Sequence, residues 1–192
     1  MKRALVLLPL LAACSRDFVE GSDFTYSDEE WSLETEFGLV NMSLVEGDLS
    51  GAPPYLCGSD TGFSGARFWR FKAPQKYVGN AGRAFQKRLT WSTMTEFPTN
   101  TLINANDVFL VGRGLAIVVN VPNVASRKTR EWAQFSVYLD DRSDWRNVRD
   151  GAKVTNDEIE SVLRNLTELK LPGEWVDGAE TTCIDDVYFG TP

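Results

Sequence analysis

The side chains through which this chain could do chemistry are its cysteines, its neighbouring carboxylates and its aromatic residues. It has three Cys, six Trp and no His. The missing imidazole removes Ser-His-Asp and Cys-His pairs, His-ligated zinc, and the side chain that ordinarily titrates near neutral pH. Chemistry by carboxylate, Lys or Cys remains open. Asp140-Asp141 with Asp144 imitates the paired carboxylates of a glycosidase. Arg142 and Arg146 share that loop, so the acids read better as solvated turn charges. A net charge of −7 works against a nucleic-acid partner, which needs Lys and Arg to neutralise phosphates. Arg127-Lys128-Thr129-Arg130 is a small basic stretch in an acidic chain and reads as a solvated loop.

The first Cys has a distinctive setting. Lys2 and Arg3 precede an apolar run from Ala4 to Leu11, eight residues long. That is far short of the roughly 20 residues a spanning helix needs, and it suits the core of a secretory signal. Leu11-Ala12-Ala13-Cys14 follows, and it resembles the lipobox of bacterial lipoproteins. The resemblance implies that residues 1–13 are removed and that Cys14 is lipidated. Residues 14–23 would then form a polar tether to the membrane. Two or three acyl chains anchor stably where one does not. Ser15 in place of Asp after the Cys resembles the outer-membrane sorting pattern, so the expected location is the bacterial cell envelope, at the outer membrane.

Downstream, the segments that must position any site read as strands. Arg88 to Thr95 alternates, with Leu89, Trp91 and Thr93 on one face and Thr90, Ser92 and Met94 on the other. In Glu131 to Leu139, Phe135, Val137 and Leu139 oppose Gln134, Ser136 and Tyr138. Arg67 to Phe71, Asp107 to Val111, Leu115 to Val121, Leu169 to Trp175 and Ile184 to Phe189 are further strands, with Gly112-Arg113-Gly114 as a turn. One helix is expected from about Asp157 to Asn165 or Leu166. Thr155 and Glu158 are spaced as a capping box, and Ile159, Val162, Leu163 and Leu166 recur at helical intervals. The expected fold is all-β: a two-sheet sandwich with this one short helix laid over an edge or end.

The order of these signals resembles one family. Trp69-x-Phe71-x-Ala73-Pro74-x-Lys76-Tyr77-x-Gly79 comes first, then the strand around Trp91 and the Gly-flanked pair at Phe109 to Val119. Trp132-x-x-Phe135-x-Val137-x-Leu139, Asn165-Leu166-Thr167 through Gly173-Glu174, and Ile184-Asp185-Asp186-Val187 complete the series. It is similar to the laminin B module, also called laminin IV type A, from about Trp31 to Phe189. The Asp28-Glu29-Glu30-Trp31 opening is similar as well, whereas residues 32–66 match only loosely. The resemblance implies a jelly-roll β-sandwich of two antiparallel sheets, spanning residues 24–190, without catalytic activity.

Several site expectations follow. In an exported jelly roll the terminal strands lie side by side, which would bring Cys57 to Cys183 for a disulfide. Related sandwiches hold a structural calcium through an Asp on the last strand. Asp186 matches that position, and Asp28 or Glu29 would contribute from the opening segment. No other cofactor is implied. Trp132, Trp145, Trp175 and Tyr138 are candidates to stack on sugar rings, whereas Trp69, Phe71 and Phe135 read as core. Together these describe a lipid-anchored, non-enzymatic envelope module that recognises a glycan or a partner protein. The alternatives are a structural or assembly subunit of an envelope complex and, third, a carboxylate-dependent glycan hydrolase.

Overall fold

The structure is a computed structural model; it describes residues 19–35, 38–40, 43–45, 54–59, 69–96, 107–122, 130–176 and 179–191. In chain order the strands are β1 (Glu20–Ser22), β2 (Ser32–Thr35), β3 (Gly38–Val40), β4 (Ser43–Val45), β5 (Tyr55–Ser59), β6 (Trp69–Lys72) and β7 (Arg88–Glu96). They continue with β8 (Asp107–Gly112), β9 (Leu115–Asn120), β10 (Ala133–Tyr138), β11 (Arg146–Asn147), β12 (Leu166–Pro172) and β13 (Thr181–Thr191). One sheet runs β10-β7-β13-β5-β4, with β1 beside the C-terminal half of β13; the other runs β11-β9-β8-β12-β6-β2-β3. Both are antiparallel, and their facing surfaces make one core. The architecture is the expected jelly-roll β-sandwich.

The alternation read from the sequence decides which side chains meet inside. Leu89, Trp91 and Thr93 of β7 point inward, as do Val137 of β10 and Ile184, Val187 and Phe189 of β13. Leu33, Phe71, Leu110, Ile117, Leu169 and Leu171 face them from the second sheet. Trp69 is seated on two backbones: a Cβ added at Gly173 would stand 2.2 Å from its ring, and one at Gly58 2.8 Å. Only glycine permits that approach. At the turn joining β8 to β9, Arg113 and Gly114 both adopt left-handed φ angles, 51° and 74°, as a two-residue hairpin loop requires.

The helix, α1, spans Asn156–Arg164. Thr155 caps it by accepting from the Glu158 amide, while the Glu158 carboxylate accepts from the Thr155 amide, so the capping box is present. Ile159, Val162 and Leu163 are buried on its inner face. The Leu163 carbonyl accepts from the Ala81 amide, tying the helix to the sheet end. Beyond Asn165 the chain enters β12 at once, so this strand begins at Leu166 and ends at Pro172, and Trp175 lies outside it. The N-terminal boundary also differs from expectation. Glu20–Ser22 is not tether but a strand, because Ser22 pairs with Val187 and its side chain is buried.

The family's motif residues form a knot at this N-terminal end. The buried Trp31 ring meets Tyr77 edge to face at 5.4 Å and Phe24 at 6.1 Å, and its Nε1 donates to Ser22 Oγ at 3.0 Å. Tyr77 Oη bonds the same hydroxyl at 2.9 Å and donates to the Val187 carbonyl at 3.1 Å. Burial pushes the Tyr77 phenol far above its ordinary range, which keeps it a neutral donor. Lys76 pairs with Glu29 and donates to the Gly21 carbonyl. The Lys-Tyr motif therefore ties the first strand and the acidic opening to the last strand.

Candidate ligand-binding cleft

The two outer faces of the sandwich differ. On the second sheet the charges of Glu34, Lys72, Glu168 and Lys170 pair with one another. Lys170 Nζ lies 2.6 Å from Glu34 and 2.7 Å from Glu168, and Lys72 lies 2.8 Å from Glu168. The Arg70 guanidinium covers the Phe109 ring at 4.3 Å.

The outer face of the first sheet holds an open cleft of about 440 Å³, within the range of small-ligand pockets. Three strands floor it. Arg88, Thr90 and Ser92 come from β7, Gln134 and Ser136 from β10, and Asp186 and Tyr188 from β13. Register brings them together: Ser136 pairs with Thr90, Thr90 with Tyr188, and Gln134 with Ser92. These are the outward halves of two alternating strands, polar because the inward halves carry the core.

A ridge bounds one side. Tyr138 is held against the Arg142 guanidinium, 3.9 Å from its ring centre, with Arg88 at 5.8 Å. Arg142 is fixed in turn by Asp140, whose two oxygens accept from its Nε at 2.9 Å each. This pairing holds the Asp140 carboxyl below the usual carboxylate range. Asp144 is paired with Arg146 at 2.9 Å. The acidic loop is thus a scaffold for the ridge, with Asp140 and Asp144 each paired to an arginine.

A bulge shapes the β13 side of the cleft. Asp186 has a left-handed φ of 50°, and the pairing of β13 with β7 shifts between Asp185 and Tyr188. The extra residue turns Asp186 outward into the cleft, while Asp185 stays buried beside Ser92. Burial pushes the Asp185 carboxyl up to about 6, and the neighbouring charges of Asp186 and Asp23 push the same way. Tyr188 Oη donates to Asp186 Oδ1 at 3.3 Å, and burial pushes that phenol up to about 12.

The expected site residues fall into three groups. Cys57 and Cys183 are register partners on β5 and β13 and form the disulfide, S–S 2.04 Å. Trp145 and Trp175 are corrected: both are fully buried and offer no ring to a ligand. Trp145 Nε1 donates to the Tyr138 carbonyl at 2.7 Å, closing the free edge of β10, and Trp175 packs on Phe135 at 5.5 Å. Trp132 is exposed and Tyr138 half-buried in the ridge. Asp186, Asp28 and Glu29 are not brought together. Asp28 accepts from the Glu30 amide, Glu29 accepts from the Phe24 amide and pairs with Lys76, and Asp186 faces the cleft. Among the described residues no three acidic or Cys side chains gather as a metal-holding group. Cys14 lies outside the described residues, as do Arg127, Lys128 and Thr129, while Arg130 pairs with Glu96.

Sequence reading missed Tyr55, Arg88 and Tyr188, and did not single out the polar faces of β7 and β10 as a site. Their alternation was visible, but the pairing that joins them was not.

Fold and cleft define a two-sheet sandwich with hydrogen-bonding side chains in an open cleft on the first sheet. The laminin B (domain IV) model matches residues 70–191, and the chain belongs to that family. It is 30% identical over 108 residues to laminin subunit gamma-1 of Xenopus tropicalis; the match covers 55% of this chain and 6% of that laminin's length. Among solved structures, the L4b domain of human laminin alpha-2 superposes with a TM-score of 0.69 at 11% identity, covering 84% of this chain and 90% of that domain. The N-terminal cellulose-binding domain of a Cellulomonas fimi glucanase gives 0.48 at 14% identity, over 93% and 98%.

Proposed function

We propose that this protein is a non-enzymatic binding module, anchored to the bacterial envelope through lipid on Cys14, that recognises a glycan in the cleft of its first sheet. The observation that carries the reading is the composition of the cleft floor. Thr90, Gln134 and Ser136 offer short hydroxyl and amide groups, Arg88 and Asp186 offer one charge of each sign, and Tyr188 offers a ring. A polyhydroxylated ligand needs this mixture of donors, acceptors and aromatic surface. The arginine-paired acids of the 140–146 loop support binding rather than hydrolysis, since neither stands free as acid or nucleophile. The lipobox supports the anchor.

One experiment in two arms tests the reading. The full chain expressed in a bacterium should sediment with membranes, and Cys14→Ser should release it. The released protein applied to a glycan array should bind a defined set of glycans, and Ser136→Trp, which fills the cleft, should abolish binding with the melting temperature unchanged. A protein that stays soluble with Cys14 intact overturns the anchor. Absence of any glycan signal, or binding that survives Ser136→Trp, overturns the cleft.

A further inference from the structure

The outer face of the first sheet is exposed along only part of its strands. Around Thr90, Ser136 and Asp186 it is open. Farther along the same face, side chains that register also turns outward are buried: Ser92 and Asp185 are 7% exposed, Cys183 4% and Cys57 9%. Two large rings rise from the margins of this half. Tyr55 sits on β5, and Trp132 lies one residue before the pairing of Ala133 with Thr93. Between them run β13 and β7, so the two backbones are three strand spacings apart, about 14 Å. Yet their rings meet edge to face at 5.4 Å between centres. The two side chains must therefore lean over the intervening strands. Register places Met94 and Cys183 beneath Trp132, and Asp185 level with Tyr55.

We infer that Tyr55 and Trp132 form a roof that withholds the disulfide half of this face from ligand, sets the length of the cleft, and shields the Cys57–Cys183 bond. The statement about ligand length rests on the glycan reading above; the statement about the disulfide does not. The physical logic is shared. Edge-to-face rings bury apolar surface against each other and hold each other in place. A reductant must bring a nucleophile in line with the S–S bond, and the roof stands where that approach begins. Trp132 is 40% exposed because it is the outer surface of a cover, which distinguishes it from a ring laid open for stacking.

The test uses the soluble Cys14→Ser full chain, its Trp132→Ala and Tyr55→Ser variants, and Trp132→Phe as the conservative control. Native-state reduction of the disulfide is followed by mass after alkylation, across a series of dithiothreitol concentrations. Removing either ring should accelerate reduction at least about tenfold, with a rate that stays first order in reductant, and Trp132→Phe should remain close to the parent. Dilute urea separates the two routes: direct attack hardly responds to it, whereas reduction through unfolding rises with the unfolded population, so an acceleration that climbs steeply with urea overturns the roof. Parental rates in both Trp132→Ala and Tyr55→Ser overturn the roof, as does acceleration that saturates in reductant.

The second arm applies the same variants to oligosaccharides of increasing length from whichever glycan the array identifies. Affinity of the parent should stop rising at a shorter oligomer than affinity of Trp132→Ala. Loss of all binding in Trp132→Ala makes it a stacking residue; that outcome overturns the roof and leaves the glycan function standing. If no glycan binds any variant, the glycan function falls and the reduction rates alone decide the roof.

Discussion

The N-terminal knot and the open cleft lie on the same last strand and teach opposite lessons. The knot contains the most recognisable residues of the chain: the acidic opening before Trp31, and the Lys76-Tyr77 pair. Trp31, Lys76, Tyr77 and Glu29 are spent on other parts of the protein. Trp31 and Tyr77 share Ser22, Tyr77 reaches Val187, and Lys76 reaches Glu29. Between its charged residues the cleft is floored by Thr, Ser and Gln, residues that carry no motif, and it is open to solvent. Within this family module, a recognisable motif marks what holds the strands together. The cleft carries little of that mark: Asp186 belongs to the recognisable series and stands at a bulge, while Thr90, Gln134 and Ser136 do not.

The contrast can be broken by substitution. The largest effect belongs to the staple at the roofed end of the cleft face. The disulfide spans 126 residues of sequence, so replacing Cys57 and Cys183 with Ser should lower unfolding free energy by about 5 kcal/mol on chain-entropy grounds. Urea denaturation with and without the bond checks this, and a loss below about 1 kcal/mol would mean β5 is held by pairing alone.

In the knot, Trp31→Ala removes two ring contacts and the indole donor to Ser22. A cost of about 4 kcal/mol is expected, with glycan affinity of the remaining folded protein unchanged. Weakened binding in a variant that is still fully folded would join the knot to the cleft and dissolve the comparison.

The smallest effect has the opposite sign. Asp185 has its folded carboxyl raised to about 6 by burial, so the unfolded chain ionises first as pH rises from about 4. The native state therefore loses stability progressively between about pH 4 and pH 6, and carries the full penalty above. Asp185→Asn keeps an oxygen to accept from the Asp186 amide and removes the charge. It should stabilise by on the order of 1–2 kcal/mol at pH 7 and by nothing below pH 4. Thermal melts across that range decide it; a stabilisation independent of pH would point to packing rather than ionisation.

Much of the sandwich was legible in the sequence for reasons that are local. A strand that buries one face must alternate, and β10 does so throughout and β7 everywhere but at the buried Ser92. The capping box specified where α1 starts, because two side chains three residues apart satisfy each other's amides. The strands before residue 60 were not anticipated, since β1 to β5 are three to five residues long, too short for a period to show. The tryptophans show the same limit from another side. Composition says that six rings exist and says nothing of which are covered. Trp145 and Trp175 were read as ligand candidates and are core, because Tyr138 offers a carbonyl to one and Phe135 a ring to the other.

The sequence by itself therefore determined the class of fold, the family, the helix and the inward and outward faces of individual strands. Each of these depends on residues near one another in the chain. The pairing of Cys57 with Cys183 was expected from export and from the jelly roll's topology, and the register of β5 on β13 makes it. The cleft and its roof belong to tertiary structure alone. Thr90, Ser136 and Tyr188 become one surface only when three strands align, and Tyr55 meets Trp132 only because two side chains cross the strands between them. Such contacts join positions far apart in the chain, and no periodicity within a segment encodes them.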